Sequence, residues 1–218
     1  GGCGYAGCAA FALAVVEGKA PASGCPVASD NVTDLISDIM GVVPSHNEKM
    51  VAKVYCCGNN DVASKKYEYY GVADCVAANR LAGGDKSCSY ACLGYGTCVA
   101  ACKFDAIHIE NGIAVVDKEK CTACGMCVAS CPKRVIEMVP KRSTVYVGCS
   151  NKDKGNVVNK ICKVGCIACK LCEKACEFDA IHVVDNIAKI DYSKCTNCGA
   201  CVVKCPKKII IQEDQTLC

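Results

Sequence analysis

The cysteines of this chain recur at a fixed offset. Cys102, Cys121, Cys124, Cys127 and Cys131 reappear 74 residues on as Cys176, Cys195, Cys198, Cys201 and Cys205. The same step carries Cys75 to Cys149, Cys88 to Cys162, Cys92 to Cys166 and Cys98 to Cys172. A repeat that keeps thiols in step constrains the fold more than any apolar pattern here, because it preserves the geometry of a ligand set. Cysteine supplies 25 of the 218 residues. A share above roughly 8–10% ordinarily marks a disulfide scaffold in a short secreted chain, but tight C-x2-C-x2-C-x3-C runs are poor disulfide frameworks and good clamps for a compact inorganic core. Thiols kept as ligands suit a reducing compartment, so cytoplasmic exposure is expected.

Two runs carry the strongest signal: Cys121-x2-Cys124-x2-Cys127-x3-Cys131-Pro132 and Cys195-x2-Cys198-x2-Cys201-x3-Cys205-Pro206. This is the bacterial two-cluster ferredoxin run, in which three close thiolates hold one iron–sulfur cluster and the fourth cysteine, before proline, ligates its neighbour. A structural zinc site would use two C-x2-C pairs, leaving the third cysteine surplus. In the second unit the partner run is Cys166-x2-Cys169-x2-Cys172-x3-Cys176. The crossover rule assigns Cys166, Cys169, Cys172 and Cys205 to one [4Fe–4S] cluster, and Cys195, Cys198, Cys201 and Cys176 to the other.

The first unit departs from this pattern. Its partner run is Cys88-x3-Cys92-x5-Cys98-x3-Cys102, with Tyr95 standing where the copy has Cys169. Cys88 is expected to replace the missing thiol. That gives Cys88, Cys92, Cys98 and Cys131 on one cluster, and Cys121, Cys124, Cys127 and Cys102 on the other; a lost or three-iron cluster is the competing reading. At the N-terminus Cys3, Cys8 and Cys25 supply three ligands of a further cluster, and a fourth cysteine is expected just before Gly1. Val54-Tyr55-Cys56 resembles Val147-Gly148-Cys149. Cys56, Cys75, Cys149 and Cys162 are therefore a candidate ligand set for a sixth cluster, with Cys57 as the alternative to Cys56. Free buried thiols acting as small hydrophobes are the bland reading of the same residues.

The expected fold is α+β and loop-rich: a small N-terminal 4Fe-4S domain followed by two ferredoxin-like 2[4Fe-4S] units in tandem. The divisions are residues 1–27 for the N-terminal domain, 28–50 for a linker, and 51–82 for a strand and helix contributing ligands to the extra cluster. Residues 83–140 form the first unit, 141–161 a connecting segment and 162–213 the second unit. Ala9 to Glu17 is helix-prone with Gly18 as its stop, and Asp34 to Met40 has helical spacing ended by Gly41 and Pro44. Val51 to Tyr55 and Val145 to Cys149 read as strands, Tyr67 to Leu81 as a helix, and 150–160 as a polar loop. Asn111-Gly112 and Asp185-Asn186, each between short apolar runs, read as hairpin turns. Each unit then follows the order cysteine run, hairpin, cysteine run, short helix.

With three Phe and no Trp, modules of this size bury too little apolar surface to be comfortable alone. Clusters would act as staples, and apo-protein should be largely unfolded. The formal net charge is +3, but a [4Fe–4S] core on four thiolates carries about −2. The loaded protein is therefore acidic, and no nucleic-acid partner is expected. No apolar run of the ~18 residues needed for a bilayer span is present, nor is a signal peptide. His108 and His182 occupy equivalent hairpin positions and are expected to pack or hydrogen-bond near a cluster. Lys133-Arg134 and Lys207-Lys208 are expected to be solvated, and Tyr67, Tyr69 and Tyr70 to form one helical patch. There is no dinucleotide fingerprint, P-loop or nucleophile–base signature, so no catalytic residue is assigned.

Gly2-Cys3-Gly4-Tyr5-Ala6-Gly7-Cys8, then Cys25-Pro26, then two ferredoxin units resemble the B-subunit family of Rnf complexes, in its long clostridial or acetogenic form. Asp74-Cys75-Val76-Ala77-Ala78 and Cys92-Leu93-Gly94-Tyr95-Gly96-Thr97-Cys98 are similar to that family as well. The resemblance implies an electron-transfer subunit that takes electrons from reduced ferredoxin and relays them to other Rnf-type membrane subunits of a ferredoxin:NAD+ oxidoreductase driving Na+ or H+ transport. It implies a place on the cytoplasmic face of the cell membrane, association through an N-terminal helix preceding this chain, and flavin and nicotinamide sites on other subunits. The runner-up is a polyferredoxin subunit of a soluble dehydrogenase or hydrogenase. The third class, a non-redox metal-binding module, would yield a colourless, zinc-containing protein.

Overall fold

A computed structural model of the chain describes residues 3–213. It begins with α1 (Cys8–Val16), whose following Glu17 and Gly18 turn the chain back onto Leu13 and Val15. Helix α2 (Asp30–Met40) starts earlier than its apolar spacing suggests, because Ser29 accepts a hydrogen bond from the Val32 amide and caps it. Gly41, in the left-handed region, ends it.

The first ferredoxin unit contains β1 (Met50–Val54), α3 (Cys75–Arg80), α4 (Thr97–Ala101), β2 (Ile107–Glu110), β3 (Ile113–Val116), α5 (Met126–Ser130) and β4 (Ile136–Pro140). The second contains β5 (Val145–Val147), α6 (Gly155–Ile161), α7 (Leu171–Lys174), β6 (Ile181–Val184), β7 (Ile187–Ile190), α8 (Ala200–Lys204) and β8 (Ile210–Gln212). The fold is α+β. Among the described residues the strands pair antiparallel in four two-stranded sheets: β1 with β4, β2 with β3, β5 with β8 and β6 with β7. The hairpin turns carry positive φ at both central residues, Asn111 and Gly112 in one and Asp185 and Asn186 in the other, as a type I′ turn requires.

The structure departs from the sequence reading at several places. The strands expected over Val51–Tyr55 and Val145–Cys149 form as β1 and β5, but their partners were not foreseen: each closes the unit following it, pairing with a strand after the last cysteine run. The short helices lie inside the cysteine runs and stop at the final cysteine, Cys131 or Cys205, which is already extended. Residues 150–160 are not all loop, since α6 begins at Gly155. The helix expected over Tyr67–Leu81 is confined to Cys75–Arg80, because Asp74 caps it by accepting from Ala77 at 2.8 Å. The tyrosines before it form no helical patch: Tyr67 donates to the Leu81 carbonyl, Tyr69 stacks on Tyr95 and Tyr70 is exposed.

The apolar cores obey the same repeat as the thiols. Ile107, Ile113, Val135 and Ile136 in the first unit correspond to Ile181, Ile187, Ile209 and Ile210 in the second, all buried. The units are joined by backbone and side chains. Cys57 donates its amide to the Gly148 carbonyl at 2.9 Å, and Tyr55 and Tyr192 share a hydroxyl hydrogen bond. Glu213, just past β8, takes ion pairs from Lys53 and Lys118 of the first unit. Among the described residues no helix is long and apolar enough to cross a membrane.

Candidate metal centres

The second unit shows how such a chain gathers thiols. In its C-x2-C-x2-C loops the residue midway between the first thiols, and the one capping the next helix, take positive φ: Ala168 and Lys170 in one loop, Asn197 and Gly199 in the other. Each such residue turns the backbone inward at a cost of order 1 kcal/mol for a side-chain-bearing residue, so three thiols face one centre. Cys205, extended at the end of α8, and Cys176, two residues past α7, each lie with the opposite group. Cys166, Cys169, Cys172 and Cys205 line one cavity. Cys176, Cys195, Cys198 and Cys201 line another of equal size. Burial pushes the Cys172 and Cys201 thiols up to about 11, as expected where an uncompensated thiolate would be desolvated. A metal core must displace those protons to bind.

In the first unit Cys127 has Cys121 and Cys124 as its thiol neighbours. The other end differs from the sequence expectation. Burial pushes Cys98 up to about 12, and the thiols that add to the effect are Cys92, Cys75, Cys131 and Cys127. Cys75 thus stands beside the group to which Cys88 was assigned, and Cys88 turns away toward Cys56 and Cys162. A local network fixes Cys75. Its amide donates to Thr97 Oγ1 at 2.7 Å, and that hydroxyl donates to Asp74 Oδ2 at 2.8 Å. Cys75 packs with Leu93, Tyr69 and Tyr95, the last standing at the sequence position of the lost thiol.

A further group forms between the units. Cys56, Cys88, Cys149 and Cys162 line one cavity. Sequence reasoning placed Cys75 there; the cavity is lined by Cys88 instead. Several residues that build these surroundings carry no sequence signal of their own. Buried Asn151 donates Nδ2–H to Cys88 Sγ at 3.2 Å. Lys86, only 2% exposed, donates its ammonium to the carbonyls of Gly58 and Gly112 at 2.7 and 2.8 Å.

At the N-terminus Cys3 and Cys25 are half-buried and Cys8, opening α1, is exposed. Gly1 and Gly2 lie outside the described residues. His108 and His182 do not face thiols but surface carboxylates: Glu110 for the first, Glu173 and Asp179 for the second. Lys133 is not solvated, since its ammonium binds the carbonyls of Gly83 and Ser89, both at 2.7 Å. Among the described residues no three side chains of His, Cys, Asp or Glu converge tightly enough for a single metal ion.

Paired thiol cavities behind short hairpins define a multi-cluster iron–sulfur protein of ferredoxin type. Residues 1–27 match the family model described as a putative Fe-S cluster, residues 114–137 a 4Fe-4S binding domain, and residues 165–209 a 4Fe-4S dicluster domain. The chain is 49% identical to the B subunit of the Na(+)-translocating ferredoxin:NAD(+) oxidoreductase complex of Acetobacterium woodii, over 96% of this chain and 63% of that protein. It is 46% identical to the B subunit of the ion-translocating oxidoreductase complex of Methanosarcina acetivorans, over 96% of this chain and 80% of the relative. It is 45% identical to the B subunit of the proton-translocating ferredoxin:NAD(+) oxidoreductase complex of Clostridium ljungdahlii, over 94% and 74%. The chain belongs to the B-subunit family of these ion-translocating oxidoreductase complexes.

Proposed function

We propose that the chain is an electron relay within a membrane ferredoxin:NAD+ oxidoreductase that drives Na+ or H+ transport, accepting electrons from reduced ferredoxin and delivering them to other subunits at the cytoplasmic face. Four-iron clusters, when bound, exchange one electron each without bond-making in the protein. Five ligand sets are assigned: Cys3, Cys8 and Cys25 with a thiol preceding the chain; Cys75, Cys92, Cys98 and Cys131; Cys102, Cys121, Cys124 and Cys127; Cys166, Cys169, Cys172 and Cys205; and Cys176, Cys195, Cys198 and Cys201. The protein's own contribution is to supply hydrogen bonds to the thiols. The Ala52 amide donates to Cys121 Sγ at 3.5 Å and the Ala180 amide to Cys176 Sγ at 3.4 Å, and such N–H···S bonds tune a cluster's potential.

The observation that carries this reading is the pair of near-equal cavities in the second unit, each ringed by four thiols from two separated runs. The test is anaerobic reduction of the full-length protein by reduced ferredoxin, followed by absorbance and electron paramagnetic resonance. Bleaching of a brown chromophore with several overlapping signals is expected. A colourless, zinc-loaded preparation, or clusters that ferredoxin does not reduce, would overturn the proposal.

A further inference from the structure

The cavity between the units differs from the other thiol groups in drawing equally on both halves of the repeat. Cys88 and Cys162 are the same position at the 74-residue offset. Cys56 and Cys149 each follow a structurally equivalent strand by two residues, β1 in one unit and β5 in the other. The hydrogen bonds repeat the relation: the Cys92 amide donates to Cys56 Sγ at 3.3 Å, and the Cys166 amide, its repeat mate, donates to Cys149 Sγ at 3.4 Å. The cavity matches in size those of the two groups in the second unit.

Four idle buried thiols would behave as small apolar groups. They would not need a buried asparagine aimed at one of them, since burying an amide without a worthwhile partner is costly. Nor would they ring a space of the size the neighbouring cluster sites enclose. Sulfur bearing thiolate charge explains the donors, because a hydrogen bond to an ionised acceptor is roughly twice as strong as one to a neutral acceptor.

We propose that Cys56, Cys88, Cys149 and Cys162 hold an additional [4Fe–4S] cluster at the junction of the two ferredoxin units. This rests on the cluster-bearing reading of the units themselves. The two amides that donate into the site belong to Cys92 and Cys166, each a ligand of the adjoining cluster, so the junction site adjoins both dicluster units. Its ligands come two from each unit, so its assembly also ties the halves together. A cluster bound there exchanges one electron between its 2+ and 1+ states, and no proton or protein bond changes.

The test uses the full-length protein, purified anaerobically and analysed for iron, acid-labile sulfide and mass under native conditions. Wild type should carry six clusters, about 24 iron. Cys88→Ala and Cys162→Ala should each lose about four iron, and the double variant should lose about four as well, because both ligands serve one core. Cys75→Ala combined with Cys88→Ala should lose about eight. A wild-type count of five, an unchanged count in Cys88→Ala, or additive losses for Cys88 and Cys162 would overturn the assignment. If the alanine variants fail to fold, Asn151→Leu probes the site without removing a thiol. It should shift the midpoint potential of one cluster downward and leave the others in place, whereas an unshifted set would count against the site. About twenty iron in wild type, reducible by ferredoxin, would remove the junction cluster and leave the relay reading standing; a colourless protein would remove both.

Discussion

The two ferredoxin units share a backbone plan and differ in how one thiol is supplied. In the second, Cys169 sits inside its own run and faces Cys166, Cys172 and Cys205. In the first, Tyr95 occupies that position, and Cys75 reaches the group from an extra segment between β1 and the cysteine run. The proposed replacement is not local in sequence, yet it restores the local count. It also leaves Cys88 free to do what its repeat mate Cys162 does, which is to face the junction. The lesson is that a cysteine's repeat partner predicts its site better than its distance to the nearest incomplete run. Cys75 and Cys149 are the exception: they share the offset but not the role, because Cys149 is matched in space by Cys56.

The largest effect expected of either unit comes from removing iron. With cores built on valine, isoleucine and the thiols themselves, chelation under reducing conditions should abolish most native secondary structure by circular dichroism. A cooperative thermal transition retained in iron-free protein would contradict this. If the two units differ, the second should outlast the first, because its thiols need no outside segment.

The next effect separates them directly. Cys75→Ala should cost the first unit one cluster, about four iron, and leave the second unit's signals untouched. Adding Tyr95→Cys restores a thiol at the position Cys169 holds in the copy and should recover part of that iron. Loss of iron from the second unit in Cys75→Ala would break the comparison.

A smaller contrast lies in charge. Lys86 is buried beside Cys92 and Cys162, while its repeat counterpart Lys160 is exposed. A buried ammonium favours the extra electron on a nearby cluster. Lys86→Met should therefore lower the potential of a cluster in the first unit or at the junction, by on the order of 50 mV. Lys160→Met should shift nothing. Equal shifts in redox titrations of both variants would remove Lys86 as the source of asymmetry.

Much of this was legible because the signals are local. The cysteine runs and the Asn111-Gly112 hairpin depend on residues a few positions apart, and the structure places their turns as the turn chemistry dictates. The strands β4 and β8 were missed because each pairs with a strand from before its unit, so neither alternation nor turn residues announce them. The exchange of Cys75 and Cys88 was hidden for a related reason. Cys75 is directed by Thr97 and Tyr95 across a loop, contacts that no spacing rule contains. The helix expected over Tyr67–Leu81 failed where an aspartate cap was available only at its far end.

Thr97 offers a finer test of the same asymmetry. Its hydroxyl accepts the Cys75 amide, and its repeat counterpart is Leu171, which needs no such bond because its unit has no recruited segment. Thr97→Val should leave a part-buried amide unpaired, at a cost of about 1 kcal/mol. It should appear as faster hydrogen exchange over residues 72–80 and slower cluster assembly in the first unit alone. Unchanged exchange there would mean that the tyrosine packing alone positions Cys75.

The smallest effect concerns what holds the unlike units together. Glu213 reaches from the end of the second unit to Lys53 at 2.6 Å and Lys118 at 2.8 Å in the first. Burial pushes its carboxyl up, but the hydrogen bonds and charges of Lys118 and Lys53 outweigh that and hold it below its ordinary value of 4.5. A carboxyl lowered in the folded state contributes stability that is fully present above the unfolded value and is lost as pH falls through the folded one. Glu213→Gln should therefore weaken the docking of β8 by about 1 kcal/mol at pH 7, a modest figure because the pair is only partly shielded from water. The difference from wild type should shrink as pH falls below 4.5 and vanish once it has passed the lowered value of the folded state. Hydrogen exchange of the β8 amides at the two pH values reads this directly, and a difference that persisted or grew in acid would assign the docking to the Tyr55–Tyr192 contact and the shared junction instead.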